Sequence, residues 1–367
     1  MPEIPSSKSF FLSKKNIFPS QKQIIPSRTI LLKMYSCHKP FRRMLKKHTR
    51  LLAALSLLAG SLSSWAASPG YKDTLVVARD GTGDYRTLTE AFEHCRAYMD
   101  YTVYILVKKG YYKEKLIVPS WLENIVIEGE DVENTVITWD DHANIGKMGT
   151  FRSYTVRVDG NAITFRNISI ENSAPPMGQA VALHTEGDRL VFVGCRILGN
   201  QDTVFTGRRE ARLYFGDCYI EGTTDFIFGP ATAWFENCTI HCKRNSFITA
   251  ASTPADVKFG YVFNKCRVTY ADDVTNMKLG RPWRDYAYTV FMNCDLGDRI
   301  APEGWIPWNV PHPEQTVRYA EYGCTGTSAD TSRRVSWARR LTKKEAAAIT
   351  LENVFPAWQP QTATRNE

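Results

Sequence analysis

Hydrophobic positions recur along the chain in one phrase: Phe, two residues, Cys or Ile, one residue, then an aliphatic side chain. It occurs as Phe165-Arg-Asn-Ile168-Ser-Ile170, Phe192-Val-Gly-Cys195-Arg-Ile197 and Phe215-Gly-Asp-Cys218-Tyr-Ile220. It returns as Phe235-Glu-Asn-Cys238-Thr-Ile240, Phe263-Asn-Lys-Cys266-Arg-Val268 and Phe291-Met-Asn-Cys294-Asp-Leu296. The Phe-to-Phe steps are 27, 23, 20, 28 and 28 residues. Copies this short, punctuated by Gly or polar residues, predict a solenoid whose units stack on their neighbours. Between copies lie β-branched and aromatic runs, Ala180–Leu183, Thr203–Phe205, Phe226–Phe228 and Phe247–Thr249, with no room for the paired helices of ankyrin or tetratricopeptide units. The fold class that follows is all-β: a right-handed parallel β-helix with several short strands per turn. An antiparallel sandwich would not require the same residue types at equivalent places in successive units.

Open solenoids need covered ends, because an uncovered edge templates further pairing. Thr89–Met99, with Ala91, Phe92 and Cys95 on one face, predicts a short helix capping the first turn. Ala-rich Thr342–Thr350 follows the last rung as the second cover. Residues from about Asp73 to Trp358 then form one domain.

Charge separates a leader from this domain. The whole chain of 367 residues carries +8, yet residues 1–67 hold 12 Lys/Arg against the single acid Glu3, leaving 34 basic and 37 acidic residues in 68–367. The folded part is therefore slightly acidic and gives no case for a nucleic-acid partner. Lys46, Lys47 and Arg50 precede the uncharged run Leu51–Leu62 and then Ser64-Trp65-Ala66-Ala67, the layout of a signal peptide over 44–67. A run of 12 residues falls short of the roughly 20 that span a bilayer, and no Cys lies near the cleavage region, so no stable membrane anchor is expected. Residues 1–43 read as a basic extension or as a start set too far upstream, and are assigned no structure. The domain 68–367 is expected to be exported, periplasmic or extracellular, and monomeric.

Export makes the cysteines relevant. Eight follow the leader, too few for a disulfide scaffold but compatible with a bridge or two. Cys218 and Cys238 stand at matching phase on neighbouring turns, within reach of a disulfide. A reduced stack with Cys195, Cys266 and Cys294 is the alternative. Cys238-Thr-Ile-His241-Cys242 has the look of a metal cluster but lacks a second ligand pair at zinc-finger spacing, so no metal is expected.

The repeat has a chemical consequence. Asp202 follows Phe192 by ten residues and Asp225 follows Phe215 by ten. Residues of equal phase stack on adjacent turns, about 4.7–4.9 Å apart. Two carboxylates that close cannot both ionise cheaply, so one becomes an acid beside a nucleophile or base. An Asp at a solenoid turn often only caps backbone amides; two in one phase favour function. Gln179 and Gln201 fall on the same face and offer amide donors to a developing oxyanion. Leu279-Gly-Arg-Pro-Trp283 adds a guanidinium suited to a carboxylate and a large aromatic suited to a sugar ring.

Gln179-Ala-Val-Ala-Leu183, Gln201-Asp-Thr-Val-Phe205, Asp225-Phe-Ile-Phe-Gly229 and Leu279-Gly-Arg-Pro-Trp283 together resemble the signature set of the pectin methylesterases, in their secreted bacterial form. Val77-Ala-Arg-Asp-Gly-Thr-Gly-Asp-Tyr85 is similar to that family's opening strand and turn, and Gly304-Trp305, Trp308 and Trp337-Ala-Arg-Arg-Leu341 to its C-terminal segments. The resemblance implies a parallel β-helix and an esterase without metal or cofactor, acting on methylated homogalacturonan (pectin). It also implies Asp225 as nucleophile, Asp202 as acid and base, Gln179 and Gln201 at the oxyanion, Arg281 on Asp225, and Trp283 lining the sugar site, with Phe228 a further candidate. Two departures stand out. The Asp202–Asp225 interval, carrying Arg208, Arg209 and Arg212, is about two residues longer than in plant members, and places either polymer-binding or solvated cations at the cleft rim. Val204-Phe205 replaces the usual Leu-Tyr, removing a hydroxyl. The residues leave open a pectate lyase or polygalacturonase on the same solenoid, or a β-helix that binds pectin without catalysis.

Overall fold

The computed structural model describes residues 72–360 except Asn309, together with residue 362. The segment 44–67, expected to be a signal peptide, and residues 1–43 lie outside the described residues. Seven turns of the chain each give one short strand to each of three parallel sheets, and the long sheet extends beyond them at both ends, so that one sheet has 11 strands and two have 7.

The recurring phrase is a strand, a corner and a second strand. Phe165, Phe192, Phe215, Phe235, Phe263 and Phe291 are register partners along the long sheet. Their rings stack face to face inside the coil, centroids 4.4–5.5 Å apart and planes within 10°. Two residues later the backbone turns through the left-handed region, at Asn167, Gly194, Asp217, Asn237, Lys265 and Asn293, with φ between 46° and 60°. Only Gly, Asn and Asp enter that region readily, which explains the phrase's third position everywhere but Lys265. The residue after the corner turns inward. The thiols of Cys195, Cys218, Cys238, Cys266 and Cys294 each donate to the carbonyl of the Phe one rung earlier at 3.4–3.5 Å, and Cys324 does so to Phe291. Cys218 and Cys238 are thus free thiols in a reduced stack rather than the bridged pair, each already turned toward a backbone acceptor. Cys242 is buried while His241 points outward to Thr269 at 2.9 Å, so the pair does not converge.

The ends differ from expectation in detail. The first helix covers Leu88–His94 rather than Thr89–Met99: Thr87 and Glu90 form a capping box, and Cys95 is already extended, at ψ 140°. Leu88, Ala91 and Phe92 enter the main core as the cap requires. At the far end the strand Arg318–Tyr322, one rung beyond Phe291, carries Glu321 in the Phe position. Buried Glu321 accepts from Arg334 Nε at 2.8 Å and Nη2 at 3.0 Å, and Ala329, Val335 and Trp337 close the core there. The helices Lys343–Ala347 and Leu351–Val354 do not cover the last rung. They place Ala346 and Val354, with Leu341 and Phe355, on the long sheet's outer face against Val191, Tyr214, Trp234, Val262 and Val290.

The Phe column is the mechanical axis of this fold. Phe215→Ala removes a ring stacked between Phe192 at 4.8 Å and Phe235 at 4.7 Å. It is expected to lower the unfolding free energy by about 3–5 kcal/mol. A denaturant midpoint shift equivalent to under about 1 kcal/mol would show that the coil closes over the gap.

Candidate active site

The site lies on the outer face of the sheet containing Leu183–Thr185, Val204–Thr206, Ile227–Gly229, Phe247–Ala251 and Lys278–Gly280. Val204 pairs with Ile227 and Phe205 with Phe228, so Asp202 and Asp225, each two residues upstream, occupy one phase on adjacent rungs. Both have left-handed backbones, φ 64° and 49°, a conformation that Asp tolerates better than most residues. The ladder runs on through these bends: Asp202 N–H donates to Thr224 O at 3.1 Å and Asp225 N–H to Phe247 O at 2.9 Å. The corner before each strand therefore aims a carboxylate at the same surface. Both are nearly buried, Asp202 at 8% and Asp225 at 5% exposure.

Their surroundings are unequal. Arg281 forks Asp225, Nε to Oδ1 at 3.0 Å and Nη2 to Oδ2 at 2.6 Å. Gly280 permits this: a Cβ there would stand 2.0 Å from Thr249 Oγ1, so only glycine lets the last strand approach and carry Arg281 to its partner. No hydrogen bond reaches the Asp202 carboxyl among the described residues. Burial first, and then the Asp225 charge, push Asp202 well above the usual carboxylate range, with Arg281 opposing. Burial also raises Asp225, but the Arg281 hydrogen bonds and charge pull it back. The pair is thus poised with the proton on Asp202 and the charge on Asp225.

Gln179 and Gln201 pair across a parallel bridge one rung before Asp225 and Asp202 meet. Both are half-buried, and neither side-chain amide is engaged among the described residues. Ala143 N–H donates to Gln179 O at 2.8 Å, tying Gln179 to the segment that carries Phe151. The floor is aromatic. Phe205 stands 4.9 Å from Phe228, Phe228 5.9 Å from Trp283, and Phe151 4.9 Å from Phe205. The structure thereby brings together Gln179, Gln201, Asp202, Asp225, Phe228, Arg281 and Trp283.

Three findings lie beyond the sequence reading. Trp308 and Phe247 flank Arg281, with ring centroids 3.9 Å and 4.3 Å from its guanidinium carbon. Phe151 and Tyr154 fold back over the floor at Phe205 and His184. The arginine-bearing turn sits at the other end of its strand from Asp202 and is occupied structurally: Arg212 forks Asp188, Nη2 to Oδ2 at 2.6 Å, and lies 5.6 Å from the Trp358 ring, while Arg209 pairs with Asp256. The ten-residue offset from the Phe column points to Asn245 on the next rung, so it passes over Phe247, which the strand register places in the Asp202–Asp225 column. Nothing in the sequence marks Trp308 or Phe151 as neighbours of the site.

Comparison with known proteins agrees with this geometry. The Pectinesterase family profile matches residues 74–356. "Probable pectinesterase/pectinesterase inhibitor 23" of Arabidopsis thaliana is 34% identical over 319 residues, covering 82% of this chain and 56% of the relative, so the chain spans about half that protein's length. The solved "Pectin methylesterase from Carrot" is 34% identical with a TM-score of 0.73, covering 76% of this chain and 92% of that one. A pectin methylesterase solved "in complex with hexasaccharide VII" is 28% identical with a TM-score of 0.69, covering 79% and 98%.

Proposed function

Since the chain belongs to the pectinesterase family, we propose that it removes methyl esters from the galacturonate units of pectin, leaving pectate and methanol, after export through the 44–67 signal segment. The observation that carries this reading is the in-register pair of buried carboxylates, one forked by a guanidinium and the other with no hydrogen bond to its carboxyl among the described residues.

The chemistry follows from that inequality. Ionised Asp225 attacks the carbonyl carbon of the C6 methyl ester. The resulting oxyanion accepts hydrogen bonds from the side-chain amides of Gln179 and Gln201. As the carbon–oxygen bond to methoxide breaks, protonated Asp202 passes its proton to that oxygen and methanol leaves, with Asp225 acylated as a mixed anhydride. Asp202, now a carboxylate, takes a proton from water, whose oxygen attacks the acyl carbon. The tetrahedral adduct collapses with Asp225 leaving as a carboxylate, the galacturonic acid departs and gives its remaining proton to solvent, and Asp202 is protonated again. The aromatic floor of Phe205, Phe228 and Trp283 suits the apolar faces of sugar rings.

The test is methanol release from highly methylated pectin by the purified chain. Unsaturated products absorbing in the ultraviolet would indicate a lyase, new reducing ends without methanol a polygalacturonase, and retention on pectin with no product a binding protein. Within this mechanism Gln179→Ala is expected to lower kcat about 10²–10³-fold, with the shape of the pH profile unchanged. A loss confined to KM would place Gln179 in substrate binding instead.

A further inference from the structure

Asp202 and Asp225 are two members of a longer column. The register Ile227↔Thr249 continues their phase to Phe247, whose carbonyl accepts the Asp225 N–H at 2.9 Å. Phe247 is half-buried on the same outer surface, and its ring centroid is 4.3 Å from the Arg281 guanidinium carbon. Trp308, 27 residues beyond Arg281 in the chain, reaches the same guanidinium at 3.9 Å. Two aromatic rings thus lie against the group whose Nε and Nη2 fork Asp225.

We infer that Phe247 is a positioning residue for the ester hydrolysis: with Trp308 it clamps the Arg281 guanidinium in the plane where both Asp225 oxygens are met, and so keeps the nucleophile ionised. The inference rests on the esterase reading above and assigns it a residue that touches neither substrate nor reacting atom. Arginine has several rotatable bonds, and a side chain left 19% exposed gains freedom whenever its faces meet water. Stacked rings remove that freedom, displace water from the cation and attract it through their quadrupoles. The effect on Asp225 passes through the fork alone. Asp225 is faced by few charged or titratable groups: Asp202 one rung earlier, Arg281, and the Tyr319 phenol from the core side. Asp202 holds its proton while Asp225 is charged, and Arg281 is the one group in that set that favours the Asp225 charge. If the fork slackens, nothing replaces it, the Asp225 carboxylate binds its proton more tightly, and a higher pH is needed to ionise it.

The experiment compares wild type, Phe247→Leu and Phe247→Tyr, each checked for a native circular dichroism spectrum. The pH dependence of kcat and KM is followed by methanol release. Phe247→Leu keeps the bulk and removes the π face. It is expected to lower kcat about tenfold and displace the acid limb upward by about one pH unit, leaving KM within about twofold. Phe247→Tyr should restore both. Trp308→Leu, a change outside the coil, is the second variant and should displace the acid limb in the same direction. The same displacement is read without turnover from the Asp225 side-chain carbon by NMR in protein labelled at aspartate Cγ, assigned with Asp225→Asn. An unmoved acid limb and an unmoved NMR titration in Phe247→Leu would overturn the clamp, as would a rise in KM at constant kcat, which would make the ring a substrate surface. Absence of methanol from wild type would instead sink the esterase reading, with the NMR titration still deciding the clamp.

Discussion

Asp225→Asn is expected to abolish methanol release from methylated pectin, lowering kcat on the order of 10⁴–10⁶-fold. The expectation follows from position as much as from chemical type. Asp225 is held by its strand, by its backbone bond to Phe247 and by the two bonds from Arg281, so its oxygens have one direction in which to act. The amide of Asn has the same shape but is no nucleophile toward an ester. The fold should survive, because Arg281 keeps its rings and an amide oxygen can still accept one of its hydrogens. A loss of stability of no more than about 3 kcal/mol is anticipated, less than for outright removal of a buried partner. Rate and thermal midpoint should be measured on the same preparation. A variant that turns over at near-native rate would exclude Asp225 as the nucleophile and with it the whole assignment of roles.

Much of this architecture was legible because a parallel coil converts equal phase in the sequence into adjacency in space. Phe192 and Phe215 are 23 residues apart, as are Asp202 and Asp225, and both pairs stack. The corner between sheets wrote itself into the Asn, Asp or Gly that follows each Phe by two. The same rule lost its grip where the phrase changed. Glu321 replaces Phe one rung beyond Phe291, where only Gly323 and Cys324 preserve the pattern, and the strands Thr74–Val77, Val103–Val107 and Glu123–Gly129 before Phe165 lack the phrase altogether, so six copies mark only part of the 11-strand sheet. Ala-rich 342–350 carries no phase information at all. Its placement on the long sheet's outer face depends on an apolar strip, from Val191 to Val290, that is assembled from many separate strands. In the site, Arg281 was identifiable from its motif, but the rings flanking it come from residues 34 positions before and 27 after. Contacts of that kind are set by tertiary packing and have no local signature. The cysteine phase was visible too, yet phase alone does not distinguish a bridge from a column of thiols donating to carbonyls.

Asp202→Asn separates catalysis from stability, because the Asp202 carboxyl is buried with no hydrogen-bond partner among the described residues and beside a like charge. On the reading proposed here the protonated carboxyl delivers the leaving group's proton, so the variant should lose about 10²–10⁴ in kcat. Wild-type kcat should fall at high pH as Asp202 ionises and at low pH as Asp225 is protonated, and the variant should lose the alkaline limb. Stability should move the opposite way. A carboxyl whose folded pKa is raised binds a proton in the native state that the unfolded chain has already released. Wild-type stability is therefore undiminished by this group below its unfolded pKa of about 3.9, falls as pH rises through the interval above it, and levels off beyond the folded value. Asn carries no such penalty. The thermal midpoint of Asp202→Asn relative to wild type should accordingly increase with pH across that interval and then stay constant. A difference that is flat with pH would mean that Asp202 ionises normally in the folded protein, and an acid role for it at neutral pH would then be untenable.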